Sequence, residues 1–182
     1  MKKIKILMLA LSVATSVSVY AQAKGDAFDP NYSGYYLLKT WYTGEGLSLE
    51  SNGAESKYMN GAAFMSTQKG ATGQQWKFVE DKGNPGYYRM QTKLHSNKKC
   101  LEGNGKDSPF KNGASFMDDC KNVSGQLWKI ELQDNGYYRI HAMSQGNETS
   151  LEARVDGTHG NNTFLDTFRD VTGQYWYLIK VK

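Results

Sequence analysis

The chain has 182 residues, of which 39% are hydrophobic, 22% charged and 13% aromatic, and its formal net charge is +4. Three lysines that contribute to this charge, Lys2, Lys3 and Lys5, lie at the extreme N-terminus, and the remaining charges of both signs are interspersed. The composition is that of a globular protein and provides no basic stripe to neutralise a phosphate backbone, so we expect no nucleic-acid partner.

An apolar stretch from Ile6 to about Val19 follows these lysines and is succeeded by Ala21-Gln22-Ala23. The stretch is shorter than the roughly 20 residues that a membrane-spanning helix needs, and an Ala-x-Ala sequence is typical of a signal-peptide cleavage site. The sequence therefore predicts a signal peptide over residues 1–23, a secreted or periplasmic protein, and no membrane span. About 160 residues remain, which is enough for one domain with a single core.

Three repeats of about 50 residues follow, over residues 32–82, 83–132 and 133–182. Each repeat contains Gly-Tyr-Tyr, Leu-Glu, a Phe and Gln-x-Trp, in that order. Leu-Glu begins 15 residues after the Gly in every repeat, and each Phe lies ten residues before the Gln. Four motifs that agree in three copies indicate one structural unit used three times.

Each repeat consists of four short extended segments separated by Gly- and Asn-rich turns. Short strands with turns every 8 to 12 residues are typical of an all-β barrel or sandwich, and an open solenoid would need capping units. We therefore predict a β-trefoil of about twelve strands, closed around a pseudo-threefold axis. Three residues of each repeat have predicted structural roles. The Trp of Gln-x-Trp and the second Tyr of Gly-Tyr-Tyr should fill the core, and the Gln amide should bond to turn backbone.

The sequence has two cysteines, Cys100 and Cys120, both in the second repeat. In an exported protein such a pair indicates a disulfide more often than a reactive thiol or a metal site. We expect these two residues to be bonded.

In these motifs the whole mature chain resembles the ricin B-type lectins. The resemblance rests on the three Gln-x-Trp motifs, on Cys100-Leu101-Glu102 and on Asp119-Cys120. It implies a disulfide-bonded loop in the second repeat and a shallow sugar pocket in each repeat, with an acidic residue at its floor. A carboxylate accepts hydrogen bonds from sugar hydroxyls, and an aromatic ring covers the apolar face of a sugar. The implied sugar-binding residues are Glu50, Ser66, Gln74, Glu102, Asp118, Gln126, Glu152, Asp166 and Gln174.

Two sets of aromatic residues have alternative interpretations. The Phe of each repeat either stacks on a sugar or points into the core, and we favour the core. Trp41 has no aromatic counterpart in the other repeats, so it either stacks on a sugar or packs against the fold. The spacing from Glu to Phe is 14 residues in repeats 1 and 2 but 12 in repeat 3. We therefore expect sites 1 and 2 to be more alike than either is to site 3.

The resemblance predicts a secreted, non-catalytic carbohydrate-binding protein with up to three sugar sites, whose partner is a carbohydrate or glycoconjugate. An enzyme is disfavoured because the repeated Glu residues should lie far apart and no Ser-His-Asp or Cys-His spacing is present. We expect no cofactor, and two carboxylates, Glu102 and Asp118, are too few to indicate a metal site. The alternative is a protein-binding trefoil that uses irregular loops, of which 93–99 and 154–161 are the best candidates.

Overall fold

The computed structural model describes residues 24–53, 55–155 and 160–182, and the predicted signal peptide over 1–23 lies outside these residues. The described chain forms short strands joined by turns and single 3₁₀ turns. Among the described residues there is no helix long and apolar enough to cross a membrane. The twelve strands found there are β1 (Tyr36–Thr40), β2 (Leu47–Glu50), β3 (Phe64–Thr67), β4 (Trp76–Glu80), β5 (Tyr88–Thr92), β6 (Lys99–Glu102), β7 (Phe116–Asp119), β8 (Trp128–Leu132), β9 (Tyr138–Ala142), β10 (Thr149–Ala153), β11 (Thr163–Thr167) and β12 (Trp176–Lys180).

The first and last strands of each repeat form a closed six-stranded barrel in the order β1-β12-β9-β8-β5-β4. The two middle strands of each repeat form an antiparallel hairpin, namely β2-β3, β6-β7 and β10-β11. This arrangement confirms the predicted all-β, twelve-stranded β-trefoil. Each hairpin carries its own copy of the Leu-Glu and Phe motifs, so the fold presents three related hairpin ends.

The Trp of each Gln-x-Trp motif lies fully buried in one shared core, as predicted. Each indole N–H donates a hydrogen bond to a Leu carbonyl of its own repeat, at 2.7 to 2.8 Å. This bond matters because an unpaired indole N–H in the core would cost free energy. It also ties the first residue of each final barrel strand to the hairpin of the same repeat. The three pairs are Trp76 with Leu49, Trp128 with Leu101, and Trp176 with Leu151.

The three hairpins meet around the pseudo-threefold axis through backbone hydrogen bonds. The N–H of Ala63 donates to the carbonyl of Ser115, that of Ser115 to Thr163, and that of Thr163 to Ala63, at 2.7, 2.6 and 3.0 Å. Each hairpin therefore donates to one neighbour and accepts from the other. This ring satisfies buried backbone groups that no regular sheet pairs.

Phe28 packs at one end of the barrel against the repeated tyrosines. Its ring lies 5.1 Å from that of Tyr88 and 5.2 Å from that of Phe78, both edge to face. The second Tyr of each Gly-Tyr-Tyr is buried here, as predicted: Tyr36 is 1% exposed, Tyr88 7% and Tyr138 4%. The hydroxyl of Tyr138 accepts a hydrogen bond from the N–H of Phe28 at 2.8 Å. The segment before the first repeat is thus joined to the core.

Cys100 and Cys120 form a disulfide, which confirms the predicted pair. Cys100 lies in β6 and Cys120 directly follows β7, so the bond fastens the second hairpin across a sequence separation of 20 residues. Closing a loop of this size stabilises a fold by about 3 kcal/mol in the chain-entropy model.

Candidate functional site

The predicted floor residues Glu50, Glu102 and Glu152 occupy equivalent positions in the three hairpins. Each pairs in register with the Phe of the facing strand, so the carboxylate and the ring share a face. Glu50 and Glu102 are partly buried, whereas Glu152 is 4% exposed. The carboxylate is therefore more accessible to a ligand in repeats 1 and 2 than in repeat 3.

A buried Gln fixes each carboxylate, as repeat 2 illustrates. The amide nitrogen of Gln126 donates to Glu102 Oε2 at 2.9 Å and to the carbonyl of Asp119 at 2.9 Å. Its amide oxygen accepts from the N–H of Lys121 at 2.8 Å. Both ends of the amide are therefore used within the protein. The same three bonds recur for Gln74, with Glu50, Thr67 and Lys69, and for Gln174, with Glu152, Thr167 and Arg169.

These Gln side chains are at most 1% exposed. The structure therefore places Gln74, Gln126 and Gln174 beneath the carboxylates, where they orient them and have no surface open to a ligand. This matches the predicted role of the amide in bonding turn backbone. Each of these three residues therefore supports the carboxylate of its own repeat from below.

A basic residue five positions before each Gln was not recognised from the sequence. In repeat 1, Lys69 Nζ lies 3.4 Å from Glu50 Oε2. In repeat 2, Lys121 Nζ lies 2.6 Å from Asp118 Oδ2. The third member of the set is Arg169. The basic residue stands five positions before the Gln in all three repeats, and this constant spacing is the signal that would have revealed the set.

The residue eight positions before the Gln lies on the strand that faces the floor Glu, two positions beyond its register partner Phe and on the same face of the hairpin. In repeat 1 it is Ser66, which is partly buried. In repeat 2 it is Asp118, and the Lys121 ammonium holds the pKa of that carboxyl below its usual value. Asp118 is therefore ionised at neutral pH, which suits a hydrogen-bond acceptor and does not suit a general acid.

In repeat 3 this position is Asp166, which lies 1% exposed within a network of ion pairs. Asp166 Oδ2 is 2.9 Å from Arg154 and 2.6 Å from Arg169, and Oδ1 is 2.9 Å from Lys106. The same two arginines bind Glu152, at 2.8 Å to Oε1 and 3.2 Å to Oε2. Burial raises the pKa of Asp166, but the cations and the Thr167 N–H more than offset this effect, so the pKa lies below its usual value.

The carboxylates consequently differ in the oxygens that remain open. Both oxygens of Glu152 accept hydrogen bonds from protein groups. For Glu50 and Glu102 the bonds within the described residues go to Oε2 alone, so Oε1 accepts none there. As the Glu-to-Phe spacing predicted, repeats 1 and 2 resemble each other and repeat 3 differs. A pocket of about 250 Å³ beside Glu152 is lined by both arginines and by Tyr42.

The Phe of each repeat is buried, with Phe64 and Phe116 6% exposed and Phe164 1% exposed. These rings lie outside the central core cluster, on the face of the hairpin that carries the floor Glu, so the preferred position in the core is not what the structure shows. An exposed ring that sequence reasoning missed covers the first two. Tyr58 lies 5.3 Å from Phe64 and is 64% exposed, and Phe110 lies 4.9 Å from Phe116 and is 53% exposed. Both exposed rings occur eight residues after the floor Glu, which is the signal that the sequence contained.

The loops behind these rings have the same conformation in repeats 1 and 2. The two residues after each exposed ring have a left-handed backbone conformation. Their φ angles are 50° and 52° for Met59 and Asn60, and 53° and 52° for Lys111 and Asn112. Such conformations are uncommon outside Gly and need support from the surrounding structure. An Asn side chain supplies that support in each loop by donating to the carbonyl of the ring residue, Asn52 to Tyr58 and Asn104 to Phe110.

Of the two loops considered for protein binding, the structure describes 93–99 completely and 154–161 only in part. The loop over 93–99 consists of turns in which Ser96 is left-handed, with φ of 54°. Of the loop over 154–161, residues 156–159 lie outside the described part of the chain. Within the described residues, no group of three or more His, Cys, Asp or Glu side chains is arranged to bind a metal ion.

The model of the ricin-type beta-trefoil lectin domain-like family matches residues 72–168, which is more than half of the chain. The comparison with curated proteins gave no match.

Several solved structures share the fold. The designed threefold-symmetric protein ThreeFoil is 21% identical, with a TM-score of 0.61 over 81% of this chain and 99% of its own. A ricin B-like lectin of Macrolepiota procera, solved in complex with lactose, is 15% identical, with a TM-score of 0.58 over 81% and 95%. A mosquitocidal holotoxin is 17% identical, with a TM-score of 0.66 over 81% of this chain, which spans only 17% of the toxin. At these identities the likeness concerns the fold.

Proposed function

The chain belongs to the ricin-type β-trefoil lectin domain-like family, and from that premise we propose that it binds carbohydrate at sites formed around Glu50 in repeat 1 and Glu102 in repeat 2. The observation that carries this proposal is the open oxygen of Glu50 and of Glu102. The Gln amide fixes Oε2 of each carboxylate, while Oε1 accepts no bond from the described residues. A fixed acceptor with one oxygen available suits the directional hydrogen bonds of a sugar hydroxyl.

The exposed rings Tyr58 and Phe110 supply the second element of a sugar site. Each lies edge to face on a buried Phe, and that Phe is the register partner of the floor Glu. A pyranose that donates a hydroxyl to the carboxylate would therefore have an aromatic surface on the same face of the hairpin. Two such sites on one domain would raise the avidity for densely displayed glycans.

Repeat 3 has a structural role in this proposal. Arg154 and Arg169 occupy both oxygens of Glu152, and a sugar hydroxyl would have to displace a charged hydrogen bond to reach it. Charged hydrogen bonds are about twice as strong as neutral ones, so the exchange is unfavourable.

The same charges argue against catalysis. A glycosidase needs one carboxyl group with a raised pKa to act as an acid. Asp118 and Asp166 are the carboxyl groups nearest to the floor Glu on the facing strands of repeats 2 and 3, and the pKa values of both are lowered. We therefore propose a non-catalytic lectin.

Export of the chain is also part of the proposal. The Cys100–Cys120 disulfide supports it, because such bonds persist in oxidising compartments. Mass spectrometry of the protein from the native host should find a mature N-terminus near Gln22 outside the cytoplasm. Cytoplasmic protein that retains residues 1–23 would contradict it.

The binding test is a glycan array followed by calorimetry with each saccharide that binds. We expect Glu50→Gln and Glu102→Gln each to remove one site, and the double variant to lose binding at both pockets. Gln has nearly the same shape as Glu but carries no charge. Each replacement therefore removes the charge and should leave the fold intact. The matched control is Glu152→Gln, which should lower stability and leave the affinity unchanged.

Two results would contradict the assignment. Full binding by the folded double variant would show that these carboxylates are not used. Loss of binding in Glu152→Gln at unchanged stability would move the site to repeat 3.

A further inference from the structure

Three aromatic rings outside these pockets lie nearly parallel and stack on one another. The rings of Trp41, Tyr137 and Tyr175 have centroids 5.5 to 6.1 Å apart, and their planes differ by only 10° to 21°. Trp41 is 55% exposed and both tyrosines are partly exposed. The core rings around Phe28 differ, since Phe78 and Tyr88 meet it edge to face, at 76° and 85°. We call the three parallel rings the aromatic platform.

The barrel brings these residues together from opposite ends of the chain. Trp41 directly follows β1, Tyr175 directly precedes β12, and Tyr137 directly precedes β9. These three strands are neighbours in the barrel. The backbone N–H of Trp41 donates to the backbone carbonyl of Tyr175 at 3.0 Å, which joins the two main chains at this point. Tyr177, 3% exposed, supports the platform from behind, with its ring at 73° to that of Tyr137.

The equivalent positions in the other repeats do not form a platform. At one junction they hold Lys93, Gln75 and Tyr35, with Lys93 Nζ 5.7 Å from the centre of the Tyr35 ring. At the other they hold Met143, Leu127 and Tyr87. The core of the fold therefore does not require three aromatic side chains at this position.

Polar acceptors border the platform on one side. The hydroxyl of Tyr175 donates to Asp170 Oδ1 at 2.6 Å, which holds the ring in place. Asp170 lines a cavity of about 380 Å³ together with Gln133, Asp134 and Asn135. An apolar surface beside carboxylate and amide groups is suited to a sugar, which has one apolar face and a rim of hydroxyl groups. The two acidic residues would repel an anionic lipid surface.

From this geometry we propose that the aromatic platform is a further carbohydrate site, separate from the carboxylate pockets. A pyranose ring lies against the exposed part of this stack, chiefly the indole of Trp41, and its hydroxyls reach Asp170 and the amides beside it. The inference rests on the proposed carbohydrate-binding function, but it does not depend on which pockets of the repeats bind sugar.

Trp41 provides a local signal for the test, because the other three tryptophans are fully buried. The probes are lactose, chitotriose, cellotriose and mannotriose, titrated against the Glu50→Gln/Glu102→Gln variant while tryptophan fluorescence and heat are measured. We expect at least one saccharide to bind with a fluorescence change. Trp41→Ala in this background should weaken that binding at least tenfold, and Trp41→Phe should retain it but lose the fluorescence change.

The outcomes separate this inference from the proposed function. Binding by the wild type but not by the Glu50→Gln/Glu102→Gln variant would overturn the platform site alone. Unchanged affinity in Trp41→Ala would do the same. Loss of all wild-type binding in Trp41→Ala, with no effect of the two Glu replacements, would support the platform and overturn the pockets. A folded wild type that binds no saccharide on the array would overturn both.

Discussion

Replacing Asp166 by Asn removes a buried charge on which three cations converge, so it should destabilise the fold strongly. Lys106, Arg154 and Arg169 all lie within 2.9 Å of this carboxylate. Removing one partner of a fully buried ion pair costs about 3 to 5 kcal/mol. The three cations are 28% to 43% exposed and can regain some hydration, so we expect a loss of about 2 to 3 kcal/mol.

Asp118→Asn is the matched control, because Asp118 holds the same position in repeat 2. It has one cationic partner, Lys121, whose side chain is 53% exposed. Such a pair contributes about 0 to 1 kcal/mol. In urea unfolding, with a slope of about 2 kcal/mol/M for a domain of this size, the midpoint of Asp166→Asn should fall by about 1 to 1.5 M. That of Asp118→Asn should fall by less than about 0.5 M. Equal losses in the two variants would refute the structural role of repeat 3.

The lowered pKa of Asp166 determines how the stability difference between the wild type and Asp166→Asn depends on pH. A carboxyl group with a lower pKa in the folded than in the unfolded protein binds fewer protons when folded. Its contribution is therefore present above its unfolded pKa of about 3.9 and is lost as the pH falls through the folded value. The stability difference between wild type and Asp166→Asn should be constant from about pH 5 to 8 and should shrink below about pH 4. A difference that grows on acidification would contradict the assigned shift.

Two further predictions concern the rest of the fold. Replacing both Cys100 and Cys120 by Ala should lower the unfolding free energy by about 3 kcal/mol, because the unfolded chain regains the entropy of the closed loop. Urea unfolding measures this loss, and a change below about 1 kcal/mol would contradict the entropic account. Phe28→Ala should cost about 2 kcal/mol, since the ring is only partly buried, and should lower Tm by about 4 to 8 °C, as measured by calorimetry. Phe28→Leu is its control and should retain most of the stability, and equal losses in the two would show that Phe28 does not stabilise the barrel.

The sequence alone determined the repeat, the fold and the equivalence of the Gln, Glu and Trp positions in the three repeats. Each Gln-x-Trp motif places a Trp in the core and a Gln beneath the Glu, and the structure uses the same bonds in all three copies. These interactions lie within one repeat, between positions about 25 residues apart, so their constant spacing is visible in the chain. The single pair of cysteines likewise allowed only one disulfide.

Only the tertiary structure decided which carboxylates remain open. Lys106 belongs to the second repeat, yet it binds Asp166 of the third. The sequence showed that repeat 3 was irregular, but not that Arg154 and Arg169 would occupy both oxygens of Glu152. An ion pair depends on distances of a few ångströms between side chains, and those distances exist only after the hairpins have packed together.

The aromatic platform, too, could not be predicted from the sequence alone. The sequence identified Trp41 as the one Trp without repeat counterparts, but it left open whether this ring stacks on a sugar or packs against the fold. Tyr137 and Tyr175 lie far from it along the chain and become its neighbours because β1, β12 and β9 are adjacent in the closed barrel. Periodicity determines what recurs within each repeat. Barrel closure determines which non-repeated side chains meet, because strand order, not sequence distance, sets their separation.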